Sequence, residues 1–164
     1  MRNVPVVLAA TAAVAVAASA SATVIVNGYP LAHRCPAAGV RDDVDPWLMN
    51  DCNCTSYVAW ALQANNQRID WFVPGSMDAW NWPNVARRAG LPVGTAPQVG
   101  AVAVWPRLSR PFGHVAYVTA VHRDGTFDVS EYNLGPRFGY PPFTYDSRRH
   151  VRGAGAVFIY VPRR

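Results

Sequence analysis

The sequence predicts an α+β fold, with helices in the first half of the chain and strands in the second. Residues 55–64 and 78–89 have the apolar recurrence of amphipathic helices. After Pro97 the chain is rich in Val, Tyr, Phe and Ile between Gly, Pro and Asp residues, which is typical of short strands. We therefore expect N-terminal helices packed on a twisted antiparallel β-sheet.

The first 22 residues have the character of a signal peptide. Arg2 precedes an apolar run from residue 4 to residue 18, and small residues at 18–22 offer an Ala-x-Ala cleavage site. The alternative is an uncleaved membrane anchor, and either interpretation places the rest of the chain outside the cell. We expect a secreted or wall-associated protein with no stable membrane span after processing.

The remaining length, about 140 residues, suits one domain with one core. All fifteen basic residues are Arg, against ten acidic residues, and the formal net charge of +5 modestly favours anionic surfaces. Ordinary surface charge explains the same balance. No aromatic-interleaved basic motif accompanies the C-terminal Arg residues, so we expect no nucleic-acid binding. A monomer is expected.

The first predicted helix begins beside a cysteine. Its apolar face repeats with helical spacing at Tyr57, Val58, Ala61 and Leu62. Cys54 lies on the first turn, after a loop rich in Asp and Pro. Backbone N–H groups and the helix dipole stabilise a thiolate at this position, and the thiolate is the nucleophilic form of cysteine.

The second predicted helix spans residues 78–89 and ends at Gly90. Pro83 marks a kink or a restart within it. Its Trp80 and Trp82 fit core or rim packing better than a ligand platform.

Four strands follow, and a hairpin joins the second to the third. The predicted strands are residues 101–105, 114–122, 126–132 and 156–161. The Asp124-Gly125 pair between two of them predicts a tight type I′ turn.

The register of this hairpin brings three polar residues to one face of the sheet. With Asp124 and Gly125 as the turn, Glu131 lies opposite Val118, and Asn133 lies opposite Ala116. Period-two alternation then points His114, Glu131 and Asn133 to the same face. Asn133 is the nearer neighbour of His114, and a bulge or strand twist is needed to bring Glu131 within reach. The residues alone leave the His-orienting role open between the two.

Four segments, in this order, resemble the CHAP family of cysteine- and histidine-dependent amidohydrolases and peptidases. They are Cys-Thr-Ser-Tyr-Val-Ala-Trp at 54–60, Val-Gly-Ala-Val-Ala-Val-Trp at 99–105, Gly-His-Val-Ala-Tyr-Val at 113–118 and Val-Ser-Glu-Tyr-Asn at 129–133. The resemblance runs from about residue 45 to residue 160 and implies a papain-like fold. It implies a catalytic domain at 45–164, preceded by an N-terminal extension at 23–44.

The resemblance also implies the roles of the site residues. The nucleophile maps to Cys54, the base to His114, the third member to Glu131 and the frequent fourth polar member to Asn133. In such a site the base takes the thiol proton and a third group orients the base. The backbone N–H of Cys54 is a candidate oxyanion donor, and the Asn53 side chain is a weaker one.

Three cysteines in an exported chain predict one disulfide and one free thiol. Because the resemblance assigns the nucleophile to Cys54, we expect Cys35 to pair with Cys52 and to tether the N-terminal extension beside the active-site helix. The competing pair, Cys35 with Cys54, would silence the nucleophile.

The implied activity is that of a secreted peptidoglycan hydrolase. Such an enzyme cleaves an amide of the stem peptide, of the cross-bridge or of the muramoyl-L-alanine linkage, and the same catalytic groups serve all three. We expect loops 68–82, 107–113 and 134–145 to set specificity. Trp71 and Trp105 are our candidates for substrate binding, with core packing as the alternative. The other aromatic candidates for the cleft are Phe72, Phe112, Phe138 and Tyr140.

No cofactor and no metal site are expected. In the acidic run 42–45 and the residues after it, Trp47 and Met49 stand where a calcium loop needs oxygen ligands. His33 and His150 have no partner at metal-ligand spacing.

Two other functions stay open. One is a wall-binding or partner-binding module that has lost catalysis, and the basic charge and aromatic loops motivate it. A pure binder, however, has no need to keep Cys54, His114 and Glu131 together. The other is a small-molecule amidase of the same fold.

Overall fold

The computed structural model describes residues 23–35, 43–73 and 77–164, in which two α-helices accompany a six-stranded antiparallel sheet. The helices are α1 (Cys54–Ala64) and α2 (Trp82–Arg88). The strands are β1 (Val93–Gly94), β2 (Val102–Trp105), β3 (His114–Val121), β4 (Phe127–Tyr132), β5 (Tyr145–Val151) and β6 (Val157–Ile159). Short 3-10 helices lie at Ala32–Arg34, Ala79–Asn81 and Pro136–Phe138. The α+β prediction is confirmed, whereas the predicted signal peptide lies outside the described residues.

The strands follow the order β1-β6-β2-β3-β4-β5, and every neighbouring pair is antiparallel. Apolar clusters cover both faces of the sheet. Val102 and Val104 belong to the cluster that includes α1 and α2, while Ala103 and Trp105 belong to the opposite cluster with Phe127. This alternation is the period-two pattern of a strand buried on both faces.

Helix α1 is buried on all sides along residues 56–62. The N-terminal segment accounts for part of this burial, since Val24 and Val26 pack against the same core. Asn65 lies at the C-terminal end of α1. Its side chain accepts the Ile25 N–H and donates to the Ile25 carbonyl, each at 2.8 Å. The Tyr57 hydroxyl donates to the Val26 carbonyl at 2.8 Å. Residues 23–35 are therefore packed against the helix that starts at Cys54.

The cysteine pairing follows the prediction. Cys35 and Cys52 form a disulfide with a Cα–Cα distance of 5.4 Å, and Cys54 is free. The competing pairing of Cys35 with Cys54 is wrong.

The second predicted helix is divided at Trp82. A 3-10 turn at Ala79–Asn81 leads into α2, and Pro83 stands in the first turn of α2, where its missing N–H removes no helical hydrogen bond. Pro83 therefore marks a restart. Gly90 follows the helix with φ +75°, a left-handed conformation that glycine adopts without steric cost.

The turn between β3 and β4 is one residue longer than predicted. His122 and Thr126 form the pair that closes the turn, and the His122 N–H donates to the Thr126 carbonyl at 2.8 Å. The Gly125 N–H donates to the His122 carbonyl at 3.1 Å, and Gly125 has φ +80°. Type I′ requires positive φ at both central residues, and Asp124 does not have it. The loop is instead a type I turn closed by a left-handed glycine.

A β-bulge shifts the register once more. An extra residue of β3 lies just after Val118, so that Val118 pairs with Val129 and not with the predicted Glu131. Continuing this pairing places Glu131 opposite Ala116, diagonally across from His114. The bulge that the sequence argument required is present, and it brings Glu131 within reach of the histidine.

Two strands were not predicted. β1 is a two-residue edge strand, and β5 lies in a segment that we assigned partly to a specificity loop. β5 is the edge strand beside β4, and its residues are intermediate or exposed. Its polar composition lacks the apolar alternation that identifies a half-buried strand.

The helices in the described part of the chain are all too short or too polar to cross a membrane.

Removing the disulfide will lower the free energy of unfolding. The bridge closes a loop over a sequence separation of 17 residues, which corresponds to about 3 kcal/mol of lost chain entropy in the unfolded state. We expect the Cys35→Ala/Cys52→Ala double variant to melt on the order of 10 °C lower in a calorimetric scan. Cys54→Ala, the matched control, should change Tm much less. Equal Tm values for wild type and the double variant would contradict this prediction.

Candidate active site

Cys54 is the first residue of α1 and lines an open cleft. Asn53 precedes it in an extended conformation, and the first helical bond joins the Tyr57 N–H to the Asn53 carbonyl at 3.1 Å. The N–H groups of the first turn, including that of Cys54, have no acceptor inside the helix. The free thiol therefore lies at the positive end of the helix dipole, where negative charge on sulfur is favoured.

His114 opens β3 and is buried, with 1% of its surface exposed. Its Nε2 lies 2.6 Å from a carboxylate oxygen of Glu131, and its ring lines the same cleft as the Cys54 thiol. Because Nε2 is engaged by Glu131, the nitrogen available to the thiol is Nδ1. The fold thus brings together three residues that are far apart in the sequence: Cys54 and His114 line one cleft, and Glu131 is hydrogen-bonded to His114.

Gly113 allows the chain to place His114 at the cleft. It has φ +78°, and a Cβ at this position would lie 2.5 Å from the backbone nitrogen of Trp80. The Trp80 N–H donates to the Phe112 carbonyl at 3.0 Å, which fixes the segment before His114 against the 3-10 turn. Only glycine combines this backbone conformation with such a close approach.

The partners of His114 favour its protonated form. Burial alone lowers the pKa of His114, but the charge of Cys54 and hydrogen bonds to Cys54 and Glu131 outweigh burial and raise the pKa to about 9. The imidazolium is therefore the form of His114 that this site favours at neutral pH.

Glu131 is fully buried on β4 and is held by two cationic partners. Arg148 of β5 binds both of its carboxylate oxygens, one through Nε and the other through a second nitrogen at 3.0 Å. Burial favours the neutral acid, but hydrogen bonds from His114 and Arg148 outweigh it and hold the pKa of Glu131 below its ordinary value. The guanidinium also lies 5.2 Å from the ring centroid of Trp105, a cation–π distance.

Sequence reasoning missed Arg148, which it counted only as part of a basic cluster. The signal was weak, because Arg148 lies in a polar strand where neither its neighbours nor its spacing mark it as an inward-facing residue. Its partner Glu131 is 17 residues away along the chain and is reached only through the β4–β5 register.

Asn133 is engaged away from His114. It lies just after β4 with φ +53°, and its amide nitrogen donates to the Asn53 side-chain oxygen at 2.7 Å. Its side-chain oxygen accepts the Phe143 N–H at 2.8 Å. Asn133 therefore fixes the residue before Cys54, and the His-orienting contact belongs to Glu131.

The Asn53 side chain is engaged at both its oxygen and its nitrogen by neighbouring residues. Its oxygen accepts from Asn133, and its nitrogen donates to the Asp51 carbonyl at 3.3 Å. This arrangement disfavours Asn53 as an oxyanion donor and leaves the backbone N–H of Cys54 as the stronger candidate.

The cleft has a volume of about 690 Å³ and contains both Cys54 and His114. Phe112 is the one residue of our aromatic candidates among its described lining residues, and it is 60% exposed. The lining is otherwise mostly apolar or amide-bearing, and it includes Val44, Leu48, Met49, Asn50, Met77 and Phe143. Loop residues 74–76, within one predicted specificity loop, lie outside the described residues.

The two tryptophans predicted to bind substrate lie elsewhere. Trp71 is buried in the core, with its ring edge-on to Trp82 at 5.3 Å and its Nε1 donating to the Arg68 carbonyl at 3.0 Å. Trp105 is buried beside His114, at a ring-centroid distance of 6.3 Å. Because the core engages both the ring and the nitrogen of Trp71, the structure gives no support to its predicted contact with substrate. Trp105 supports the histidine from behind the cleft.

The acidic loop before Cys54 is organised by its own backbone. One carboxylate oxygen of Asp45 accepts the N–H groups of Trp47 and Met49 at 2.8 and 2.9 Å. Among the described residues, which exclude residue 42, no group of three or more His, Cys, Asp or Glu side chains is placed to hold a metal ion.

Two known proteins are similar to parts of this chain. The staphylococcal secretory antigen ssaA2 of Staphylococcus aureus is 41% identical over 85 residues, covering 51% of this chain and 29% of the relative. The probable autolysin LDP of the same species is 34% identical over 103 residues, covering 63% of this chain and 33% of the relative. This chain thus spans about a third of the length of these relatives.

A solved structure and a family model agree with these relatives. The crystal structure of an N-acetylmuramoyl-L-alanine amidase from Staphylococcus aureus superposes with a TM-score of 0.60 at 23% identity, covering 76% of this chain and 35% of that one. This superposition supports the α+β fold described above. The family model described as CHAP domain matches residues 44–133, more than half of the chain. The chain belongs to the CHAP domain family.

Proposed function

We propose that this protein is a secreted peptidoglycan hydrolase that cleaves an amide bond through the thiolate of Cys54. The observation that carries the proposal is a free thiol at a helix N-terminus that shares an open cleft with a histidine held by a buried glutamate. Membership of the CHAP domain family supports a hydrolase, and the similarity to a probable autolysin supports a cell-wall substrate.

The first half of the reaction forms a thioester. The Cys54 thiolate attacks the amide carbonyl carbon, and the carbonyl electron pair moves onto oxygen, where the Cys54 N–H donates a hydrogen bond. His114, as imidazolium, then gives its Nδ1 proton to the amide nitrogen. The C–N bond breaks, the amine leaves and the acyl group stays on sulfur.

The second half releases the acyl group. His114, now neutral, takes a proton from water as the water oxygen attacks the thioester carbonyl. The C–S bond breaks, the acid leaves, and the thiolate–imidazolium pair is restored. Glu131 keeps Nε2–H of His114 in place throughout and stabilises the charged ring.

In this proposal the bond that is cut is an amide of the stem peptide, of the cross-bridge or of the muramoyl-L-alanine linkage. Endopeptidase cleavage and cleavage of the muramoyl-L-alanine linkage need the same groups, so the proposal covers both. In this proposal residues 1–22 direct export, residues 23–44 form an extension tethered by the disulfide, and residues 45–164 carry the catalytic site. The similarity to a secretory antigen supports an extracellular or wall-associated location.

Loss of the thiol will abolish cleavage. Purified peptidoglycan is digested with the wild type and with Cys54→Ala under mild reductant, and the released fragments are identified by mass spectrometry. We expect fragments from the wild type alone, because the variant has no nucleophile, and their new termini identify the bond. No release by either protein, with both retained by the wall, would overturn the proposal in favour of a binding module.

Activity will fall at alkaline pH through loss of the His114 proton. The pKa of His114 is raised to about 9, so the imidazolium is present below this pH and is lost above it. We expect kcat/KM to fall about tenfold per pH unit above roughly pH 9. Glu131→Gln removes a charge that raises this pKa, so its alkaline limb should move to lower pH. An unchanged limb in that variant would contradict the coupling of Glu131 to His114.

Arg148 will act through Glu131. The guanidinium helps to hold the Glu131 pKa below its ordinary value, so Arg148→Met raises that pKa and the acid limb of kcat/KM moves towards neutral pH. We expect kcat to fall on the order of tenfold, because a partly neutral Glu131 orients His114 less well. Arg149→Met, on the exposed neighbouring residue, is the matched control. A rate loss with an unshifted pH profile would reduce Arg148 to a purely structural role.

A further inference from the structure

The cleft carries one carboxylate that the proposed mechanism does not use. Among its described lining residues, Asp78 is the one with a formal charge besides the Cys54–His114 pair. No Arg is among them, although the chain has fifteen Arg residues and a net charge of +5. The described cleft therefore lacks the Arg side chains that are common in the rest of the chain, and Asp78 is its one carboxylate.

The Asp78 side chain is available to a ligand. Asp78 precedes the 3-10 turn at Ala79–Asn81, where its carbonyl accepts the Asn81 N–H at 2.9 Å but its carboxylate makes no capping hydrogen bond. It is exposed and has no ion-pair partner among the described residues. Most helix-flanking Asp side chains satisfy a backbone N–H, so this carboxylate is free for another partner.

The backbone around Asp78 is held firmly. The carbonyl of Met77 accepts Trp82 Nε1–H at 3.0 Å, and Trp82 is fully buried. Two residues after Asp78, the Trp80 N–H donates to the Phe112 carbonyl, two residues before His114. Asp78 and His114 are thus on segments joined by a backbone hydrogen bond, on the same wall of the cleft.

We infer that Asp78 binds an ammonium group carried by the leaving-group half of the substrate. This inference rests on the proposed function, in which His114 gives its proton to the leaving nitrogen, so that the leaving half lies along the wall that His114 shares with Asp78. Met77, Ala79 and Phe112 offer apolar contact to the methylene groups of an aliphatic amine. The ligand class is therefore a peptide whose leaving half contains a diamino acid with a free side-chain amine.

The test uses two synthetic muropeptides that differ only in this amine, which is free in one and acetylated in the other. For the wild type we expect kcat/KM to be roughly fivefold higher on the free amine, as for an exposed charge-assisted contact, and the preference to shrink at high salt. Asp78→Asn should bring the ratio close to one. Asp70→Asn, which removes an exposed carboxylate outside the cleft, is the matched control and should keep the wild-type ratio.

Equilibrium binding of both peptides to Cys54→Ala, with and without Asp78→Asn, gives a second readout that does not need turnover. Amine-dependent binding that is lost with Asp78→Asn supports the inference, even if no peptide is cleaved and the proposed hydrolysis fails. Equal cleavage and equal binding of the two peptides by proteins that retain Asp78 would overturn it. An amine preference that survives Asp78→Asn would overturn it as well.

Discussion

The buried carboxylate of Glu131 is the constraint on which the site depends. An ionised acid with none of its surface exposed costs several kcal/mol unless its oxygens are paired, and here Arg148 and His114 pair both of them. The three residues come from three adjacent strands, β3, β4 and β5. Correct pairing of these strands is therefore required both to neutralise the charge and to orient the imidazole, so folding and the proposed catalysis rest on the same contacts.

The geometry of Glu131 arises from two one-residue changes in a single hairpin. The turn has one residue more than a type I′ turn, and the bulge after Val118 adds another. A single one-residue shift would turn Glu131 to the opposite face of the sheet, whereas two restore its face and move it one diagonal step towards His114. The 2.6 Å contact between Nε2 of His114 and the Glu131 carboxylate results from these two shifts together. The bulge is thus a functional part of the proposed site.

The features that the sequence predicted are those with local signals. The helix at Cys54 has a periodic apolar pattern, and the Cys35–Cys52 disulfide followed once Cys54 was assigned to the site. The bulge has no signature in single residues, because Thr119 differs in no way from an ordinary strand residue. β5 was missed because its residues are polar: the backbone ladder with β4 and the Arg148–Glu131 ion pair hold it in the sheet without apolar alternation. Trp71 and Trp105 could not be separated from cleft residues, since aromatic side chains serve core and cleft equally well.

The disulfide and the proposed nucleophile are two residues apart, yet the chain keeps them separate. Cys52 has φ +60° and is buried, with 1% of its surface exposed, while Cys54 starts α1 and faces the cleft. Thiol–disulfide exchange needs the attacking thiolate to reach a disulfide sulfur in line, and a buried disulfide resists that approach. The left-handed turn at Cys52 and the burial of its sulfur therefore help one disulfide and one free thiol to coexist two residues apart. The same bridge holds residues 23–35 over α1, so the oxidising conditions that form it also brace the helix that presents Cys54.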